Sequence, residues 1–262
     1  MDLKIKNKLA LVSGSTKGIG FAIAKALAGE GARVIVNGRK ESSVEEAVAG
    51  IHRSIANAQV TGVAADLATG AGAEQLGRLC PSVDILVNNL GIYEPKLFEE
   101  TTDDDWRRMF EINVLSAVRL SRFYLRGMKE RDWGRVIFIS SESGVQIPAE
   151  MIHYGMTKTA LLAVSRGIAE ACAGTGVTSN AILPGPTLSE GVQEFVAKLS
   201  GGKSFREFEK EFFEKVRPTS LVRRFASPEE VATLVAYICS PLSSLTNGAA
   251  LRVEGGIVKS CF

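Results

Sequence analysis

The stretch Ser13-Gly14-Ser15-Thr16-Lys17-Gly18-Ile19-Gly20 decides the fold of this chain. It follows the short apolar run Leu9–Ser13 and leads into a segment, 21–27, whose apolar residues recur with the helical period. A glycine turn between a strand and a helix brings free N–H groups and the positive end of the helix dipole to one point. Gly14 permits the tight turn, and Gly18 lets backbone approach an anion. The stretch predicts a pyrophosphate site, with a purely structural turn as the alternative.

Seven β-branched runs alternate with helical patterns, most of them long enough to cross between parallel strands. The predicted strands are Leu9–Ser13, Arg33–Asn37, Gln59–Val63, Val83–Asn88, Arg135–Ser140, Val177–Leu183 and Ala250–Val253. The alternation predicts a doubly wound α/β fold with a seven-stranded parallel sheet, in a single domain over 1–262. Within it, Ser189–Pro218 is a long insertion near a strand end, which predicts a mobile substrate lid.

The composition excludes several classes of protein. Of 262 residues, 31 are basic and 29 acidic, so the net charge of +2 favours neither nucleic acid nor an anionic membrane as a partner. The four cysteines are scattered without a Cys-x-x-Cys pair, which argues against a disulfide scaffold and against a metal site. We find no signal peptide and no membrane-spanning segment, and we expect a cytoplasmic protein.

The residues after the second strand indicate which dinucleotide binds. An Asp or Glu at this point would bind the free 2′-hydroxyl of NAD and repel a 2′-phosphate. The chain has Arg39 instead, with Lys17 close by in the glycine turn, and Arg39 can bind a 2′-phosphate through two donors. NADP(H) is therefore the predicted cofactor. The alternative is a solvated basic turn.

Polar or permissive residues also follow the third and fourth strands. Asp66 and Leu67 are placed to meet an adenine, Asp66 by accepting from its amino group and Leu67 by flanking the ring. Asn88 and Gly91 end the fourth strand in the sequence Asn-Asn-Leu-Gly. Ligands bind at this edge of such sheets, although ordinary turn chemistry would explain the same residues.

Tyr154 and Lys158 are four residues apart, on one face of a predicted helix. A free tyrosine has a pKa near ~10, and bringing it to about 7 needs roughly 4 kcal/mol. A cation at ~4 Å supplies about 1 kcal/mol in water and about 4 kcal/mol at an effective dielectric near 20. We therefore expect a partly dry cleft and a lowered tyrosine pKa. The alternative is a solvated helical pair.

Two further polar residues support a reaction site. Ser141 comes thirteen residues before Tyr154, after a strand, so its hydroxyl is expected at the same sheet edge, where it can hold a substrate oxygen. Asn113 lies in a predicted long helix, where asparagine is a poor helix former unless its amide has a specific partner.

In their order and spacing, these residues strongly resemble the short-chain dehydrogenase/reductase family over nearly the whole chain. The resemblance implies a Rossmann fold and a catalytic tetrad of Asn113, Ser141, Tyr154 and Lys158. It implies that Tyr154 is the acid/base and that Lys158 also binds the ribose. It further implies contacts of Pro184, Gly185 and Thr187 with the nicotinamide end, and a homotetramer formed through 110–128 and 152–171.

The expected function is an NADP(H)-dependent carbonyl reductase acting on a small molecule, with 3-oxoacyl thioesters as the family default. Family members that dock acyl-carrier protein place arginines where this chain has Asp132 and Thr175. A dehydrogenase of a sugar, steroid or cyclic alcohol is the alternative enzyme. A nucleotide-sensing regulator without turnover is the alternative from another class.

Overall fold

The computed structural model describes residues 1–189 and 204–261 of the chain. Seven strands form one sheet in the order β3-β2-β1-β4-β5-β6-β7, and all neighbours are parallel. The strands are β1 (Leu9–Val12), β2 (Arg33–Gly38), β3 (Gln59–Ala64), β4 (Ile85–Asn88), β5 (Gly134–Ile139), β6 (Val177–Pro184) and β7 (Ala250–Val253). The predicted doubly wound sheet is confirmed, and the strand ends differ from the prediction by no more than two residues.

Eight α-helices lie in the described part of the chain, together with short turns. They are α1 (Gly18–Gly29), α2 (Glu41–Ser54), α3 (Gly70–Leu79), α4 (Asp103–Phe110), α5 (Ser116–Glu130), α6 (Ile152–Ala171), α7 (Phe205–Lys215) and α8 (Pro228–Ile238). Among the described residues, no helix has the length and apolar character needed to cross a bilayer. Residues 190–203 of the predicted lid lie outside the described part of the chain, while α7 lies in its later part.

Alternate residues of each strand pack on opposite faces of the sheet, as the pleat requires. Ala10 and Val12 of β1 face α1, α2 and α8, whereas Leu11 faces α3, α5 and α6. The sheet thus has one apolar core on each face. Each core extends across β1, β4, β5 and β6, because these strands are almost fully buried. Helices therefore cover both faces, as in an all-parallel sheet.

The glycine turn takes the conformation that its sequence predicts. Gly14 and Gly18 each have φ of 59°, a region that favours glycine. Gly20 lies in the first turn of α1, and a Cβ there would meet the Asn89 amide nitrogen at 2.4 Å and the Gly14 carbonyl at 2.6 Å. The helix therefore sits closer to the ends of β1 and β4 than any side chain at 20 would allow.

The strand order changes direction between β1 and β4, because β2 and β3 lie on one side of β1 while β4 to β7 lie on the other. Such a point leaves a crevice at the carboxyl ends of the strands, where ligands bind in open α/β sheets. The glycine turn follows β1 and therefore lies at this crevice. The fold thus places the predicted phosphate site where the sheet has room for it.

Gly20→Ala should destabilise the protein, whereas Gly167→Ala should stabilise it. Both glycines lie in helices, where alanine is favoured by roughly 0.5–1 kcal/mol. A Cβ at Gly167 meets nothing within 4 Å, while at Gly20 it meets backbone. We expect a net loss of ~2 kcal/mol at Gly20, within the usual cost of overpacking. Urea denaturation measures both, and equal effects of the two substitutions would contradict the close packing at Gly20.

Candidate active site

The predicted reactive side chains meet near the carboxyl ends of β4 and β5. Ser141 follows β5 by two residues, and Tyr154 lies in the first turn of α6. A Cβ added at Gly91, after β4, would lie 3.3 Å from Lys158 Nζ and 3.5 Å from Asn113 Oδ1. Four segments of the chain therefore contribute to one site, and a Cβ at position 91 would lie in close contact with Lys158.

Asn113 has a specific partner, as its poor helix propensity led us to expect. Its Oδ1 accepts from Ile92 N at 2.8 Å, and its Nδ2 donates to Ile92 O at 2.9 Å and to Thr157 Oγ1 at 3.0 Å. The predicted long helix is interrupted here, because Glu111–Leu115 forms a single π turn between α4 and α5. Such turns often occur at functional sites. The fully buried Asn113 joins the loop after β4 to α6.

Lys158 is buried, and its charge is held close to Tyr154. Its Nζ donates to Ile139 O at 2.9 Å and lies 5.5 Å from the centroid of the Tyr154 ring. Burial lowers the pKa of Lys158 to about 8, and the nearby Glu142 carboxylate acts in the opposite direction. The predicted cluster of a phenol and an ammonium in a dry environment is thus present.

The pKa of Tyr154 moves in the opposite direction to the predicted one. Burial raises this pKa above its ordinary value, and the negative charge of Glu142 raises it further. A hydrogen bond with Ser141 and the positive charge of Arg217 act to lower it. The low dielectric that strengthens the attraction of Lys158 also penalises the phenolate itself, and here the desolvation penalty is larger.

The residues of the glycine turn fit a dinucleotide phosphate. Within the part of the chain that the structure describes, the side chain of the N-cap residue does not cap the start of α1 and its first turn carries no acidic residue, whereas Ser227 and Glu230 form a capping box at α8. Ser15 is buried, and its Oγ donates to Val12 O at 2.6 Å. Free helix N–H groups and close glycine backbone are what a pyrophosphate needs.

Arg39 is exposed directly after β2, on the same side as the glycine turn. Gly38 brings the two segments together, because a Cβ at Gly38 would lie 2.5 Å from Thr16 Cγ2. Lys17 is also exposed. Arg39 and Lys17 therefore lie exposed in two segments that pack against each other at Gly38 and Thr16.

The residues predicted to meet the adenine differ in position. Asp66 is exposed and accepts from Ala68 N at 3.1 Å, which leaves part of its carboxylate accessible. Leu67 is only 1% exposed and packs in the core under the sheet. Asn88 is buried as well, and its Nδ2 donates to Ser121 Oγ at 3.1 Å. Of the three, Asp66 alone is accessible from the surface.

Comparison with known proteins agrees with this geometry. A family model described as enoyl-(acyl carrier protein) reductase matches residues 14–258. The chain is 48% identical to the uncharacterized oxidoreductase YvaG of Bacillus subtilis, with 100% of both chains covered. The chain belongs to the short-chain dehydrogenase/reductase family.

Two further relatives of this short-chain dehydrogenase/reductase have named activities. The 3-oxoacyl-[acyl-carrier-protein] reductase FabG of Aquifex aeolicus is 32% identical, with 98% of this chain and 100% of the relative covered. The crystal structure of L-sorbose reductase from Gluconobacter frateurii, complexed with NADPH and L-sorbose, superposes with a TM-score of 0.92. It is 31% identical, and 99% of this chain and 100% of the other are covered.

A cavity of about 480 Å³ opens beside Ser141 and Tyr154. Gly185 and Thr187, which follow β6, line it, and Thr187 Oγ1 donates to Gly185 O at 2.9 Å. Pro184 is buried as the last residue of β6. Aromatic side chains make up much of the remaining surface; they are Tyr93, Phe208, Phe212 and Phe225. The cavity thus has a reactive polar end and an aromatic body.

Glu142 and Arg217 also line this cavity, and the sequence analysis did not predict them. Glu142 is buried directly after Ser141. A charged residue next to a predicted reactive serine is the one sequence signal that could have identified it. Arg217 is 75 residues away along the chain, yet its Nε donates to Glu142 Oε1 at 3.1 Å. No spacing rule could have paired the two residues.

Within the described ranges, no group of three or more His, Cys, Asp or Glu side chains could hold a metal ion. All four cysteines are free, and three of them are buried.

Proposed function

We propose that this chain is an NADP(H)-dependent oxidoreductase that moves a hydride between a nicotinamide and a carbonyl or secondary alcohol. The observation that carries the proposal is the convergence of Ser141, Tyr154 and Lys158 at one end of a cavity, beside a glycine turn that fits a dinucleotide. The nicotinamide, when bound, supplies or accepts the hydride. The protein orients the reactants and moves the proton.

Each residue of the tetrad has a proposed role that its contacts support. Tyr154 lines the cavity and transfers the proton to or from the substrate oxygen. Ser141 holds that oxygen, and the Lys158 ammonium stabilises the phenolate and binds ribose hydroxyls. Asn113 is fully buried, and its amide bonds with Ile92 and Thr157 support a positioning role for the loop and helix that flank the site.

Two related activities suggest the substrate class. Reduction of a 3-oxoacyl thioester is the activity named for the Aquifex relative, and reduction of a keto sugar is named for the Gluconobacter one. Asp132, where carrier-docking relatives are expected to have an arginine, accepts from Gly176 N at 2.7 Å and presents a carboxylate. This favours a free carbonyl compound over a carrier-bound thioester, and the aromatic cavity favours one with an apolar body.

A panel of carbonyl substrates followed by NADPH oxidation tests the function. The panel should contain 3-oxoacyl thioesters, keto sugars, and cyclic and steroid ketones, and the reverse reaction should be run with the matching alcohols. Turnover of any of them supports an enzyme. Tight NADPH binding without turnover across the whole panel would instead support a nucleotide-sensing regulator.

NADPH should bind more tightly than NADH, because Arg39 and Lys17 can pair with a 2′-phosphate. Arg39→Asp should reverse this preference by adding a carboxylate that repels the phosphate and accepts from the free ribose hydroxyl. Arg53→Asp makes the same charge change at an exposed site on α2 and serves as the control. Fluorescence titration of both nucleotides measures the ratio, and equal affinities in the wild type would argue against the Arg39 assignment.

Tyr154→Phe should lower turnover by at least ~100-fold while leaving NADPH binding nearly unchanged, because only the proton-transferring hydroxyl is lost. Tyr93→Phe is a matched control: its ring lies 6.4 Å from that of Tyr154 in the same cavity, and it lacks a lysine partner in the described structure. Steady-state kinetics with an active substrate compare the two variants. Ordinary activity in Tyr154→Phe would place the chemistry on another residue.

We also propose a homotetramer, in which α5 and α6 pair with a second copy. Val118, Leu125, Val164 and Ile168 line a surface depression between these helices, which supports an interface there. Sedimentation velocity at micromolar concentration should show the tetramer, and a stable monomer would refute it. A cytoplasmic location stays a prediction from the sequence.

A further inference from the structure

One buried carboxylate joins the reactive serine to an arginine on the opposite side of the cavity. Glu142 is only 4% exposed. Its Oε2 accepts from Ser141 Oγ, and its Oε1 accepts from Arg217 Nε at 3.1 Å. Because an ionised carboxylate can only accept, the single hydroxyl hydrogen of Ser141 points at Glu142. Glu142 therefore holds the Ser141 side chain in place, and the hydroxyl turns away from Glu142 to donate to a substrate oxygen or to the Tyr154 phenolate.

Arg217 links this carboxylate to the helix that covers the cavity. It follows α7 by two residues, and its side chain is 10% exposed. Its Nη1 lies 3.3 Å from Glu150 Oε1 and donates to Val216 O at 3.0 Å. Phe208 and Phe212 of α7 face the cavity. The ion pair thus fixes the end of α7 against the turn that contains Ser141.

The two charges also act on the tyrosine, and in opposite directions. The ionisable side chains around the Tyr154 phenol are Tyr93 from the loop after β4, Glu142 from the turn after β5, Lys158 from α6 and Arg217 from the segment after α7. The carboxylate of Glu142 raises the pKa of Tyr154, whereas the guanidinium of Arg217 lowers it. The two charges therefore oppose each other at the phenol, and the carboxylate has the larger effect.

We propose that Glu142 and Arg217 are positioning residues that couple the substrate-covering helix α7 to the Ser141 hydroxyl and balance the charge around Tyr154. Glu142 holds the serine side chain in position. Arg217 neutralises Glu142 and holds α7 in place, so that the aromatic side of the cavity and its reactive end are fixed by the same contact. The proposal rests on the proposed oxidoreductase function for its kinetic consequences.

The pH dependence of alcohol oxidation separates this role from a merely structural ion pair. In oxidation the phenolate is the base, so the rate rises through the pKa of Tyr154. Glu142→Gln removes the negative charge and should move this rise to lower pH, by at least ~0.5 unit. Arg217→Gln leaves Glu142 uncompensated and should move it at least ~0.5 unit to higher pH. A structural pair would change stability and leave both profiles in place.

Turnover and substrate affinity should separate as well. Glu142→Gln should lower kcat by at least ~10-fold, because a neutral amide, with one accepting and one donating end, no longer holds the serine side chain and Arg217 through charge-assisted hydrogen bonds. Arg217→Gln should mainly raise KM, because α7 is released. Arg217→Lys keeps the charge but loses the forked geometry. Compared with Arg217→Gln, it should therefore return the pH profile to that of the wild type but leave KM raised. Arg107→Gln, which removes an exposed arginine from its pairs with Asp103 and Asp104, is the control.

Shifts of the two profiles in the same direction, or no shift in either, would overturn the proposal. Removing one partner of a buried pair is costly, so circular dichroism must first show that each variant folds. If one does not fold, the double variant Glu142→Leu with Arg217→Met removes both charges together. A folded double variant with wild-type kcat, KM and pH profile would likewise overturn the proposal, whereas a loss of at least ~10-fold in kcat/KM would support it.

Amide hydrogen exchange tests the pair without any turnover. Exchange of the α7 amides should be at least ~10-fold faster in Glu142→Gln and in Arg217→Gln than in the wild type or Arg107→Gln. Unchanged exchange would refute the coupling even if the enzyme is active. Conversely, a wild type that turns over no substrate refutes the proposed function, while faster exchange in both variants would still support the coupling.

Discussion

The close approach of α1 to the ends of β1 and β4 is the constraint on which the site depends. Gly20 has no side chain, and the Asn89 amide fills the space by donating to Ser13 O at 3.0 Å and to Gly14 O at 2.9 Å. Asn37 Oδ1 in turn accepts from Gly14 N at 3.1 Å. These contacts hold the glycine turn to three strands. The start of α1, which we propose faces the pyrophosphate of the cofactor, is thereby tied to the core of the protein.

The chemical end of the site is built from charges that the fold must bury. Removing Lys158, Glu142 and Arg217 from water has a large cost, which mutual attraction and hydrogen bonds only partly offset. The pKa shifts reflect this cost, because burial disfavours the charged forms of both Lys158 and Tyr154. An arrangement of this kind contributes little to stability. Its value lies in holding polar groups in fixed geometry in a dry environment, where their fields are strong.

Patterns among neighbouring residues predicted much of this structure. The features that the sequence did not predict depend on contacts between segments distant in the chain. The glycine turn, the seven strands and the four-residue spacing of Tyr154 and Lys158 are encoded by neighbouring residues, so periodicity and turn chemistry suffice to place them. The direction of the Tyr154 pKa shift depends on burial by segments distant in sequence, and so does the pairing of Glu142 with Arg217. Leu67 was assigned to a ligand because its position in sequence is right, although its side chain turns into the core. Sequence position locates a residue at the sheet edge but does not give the direction of its side chain.

The π turn at Asn113 makes α4 and α5 one continuous rod with a change of phase. A regular α-helix advances about 100° per residue, so one additional residue in a turn rotates everything beyond it by about that angle. In the first half of the rod Asn113 contacts Met109 Sδ and reaches the loop after β4 through Ile92, while in the second half Leu120 and Tyr124 pack in the core. The additional residue of the π turn therefore matters to the site as much as the side chains do. Deleting one residue from this turn would rotate α4 relative to α5 by about 100° and would move Asn113 away from Ile92 and Thr157.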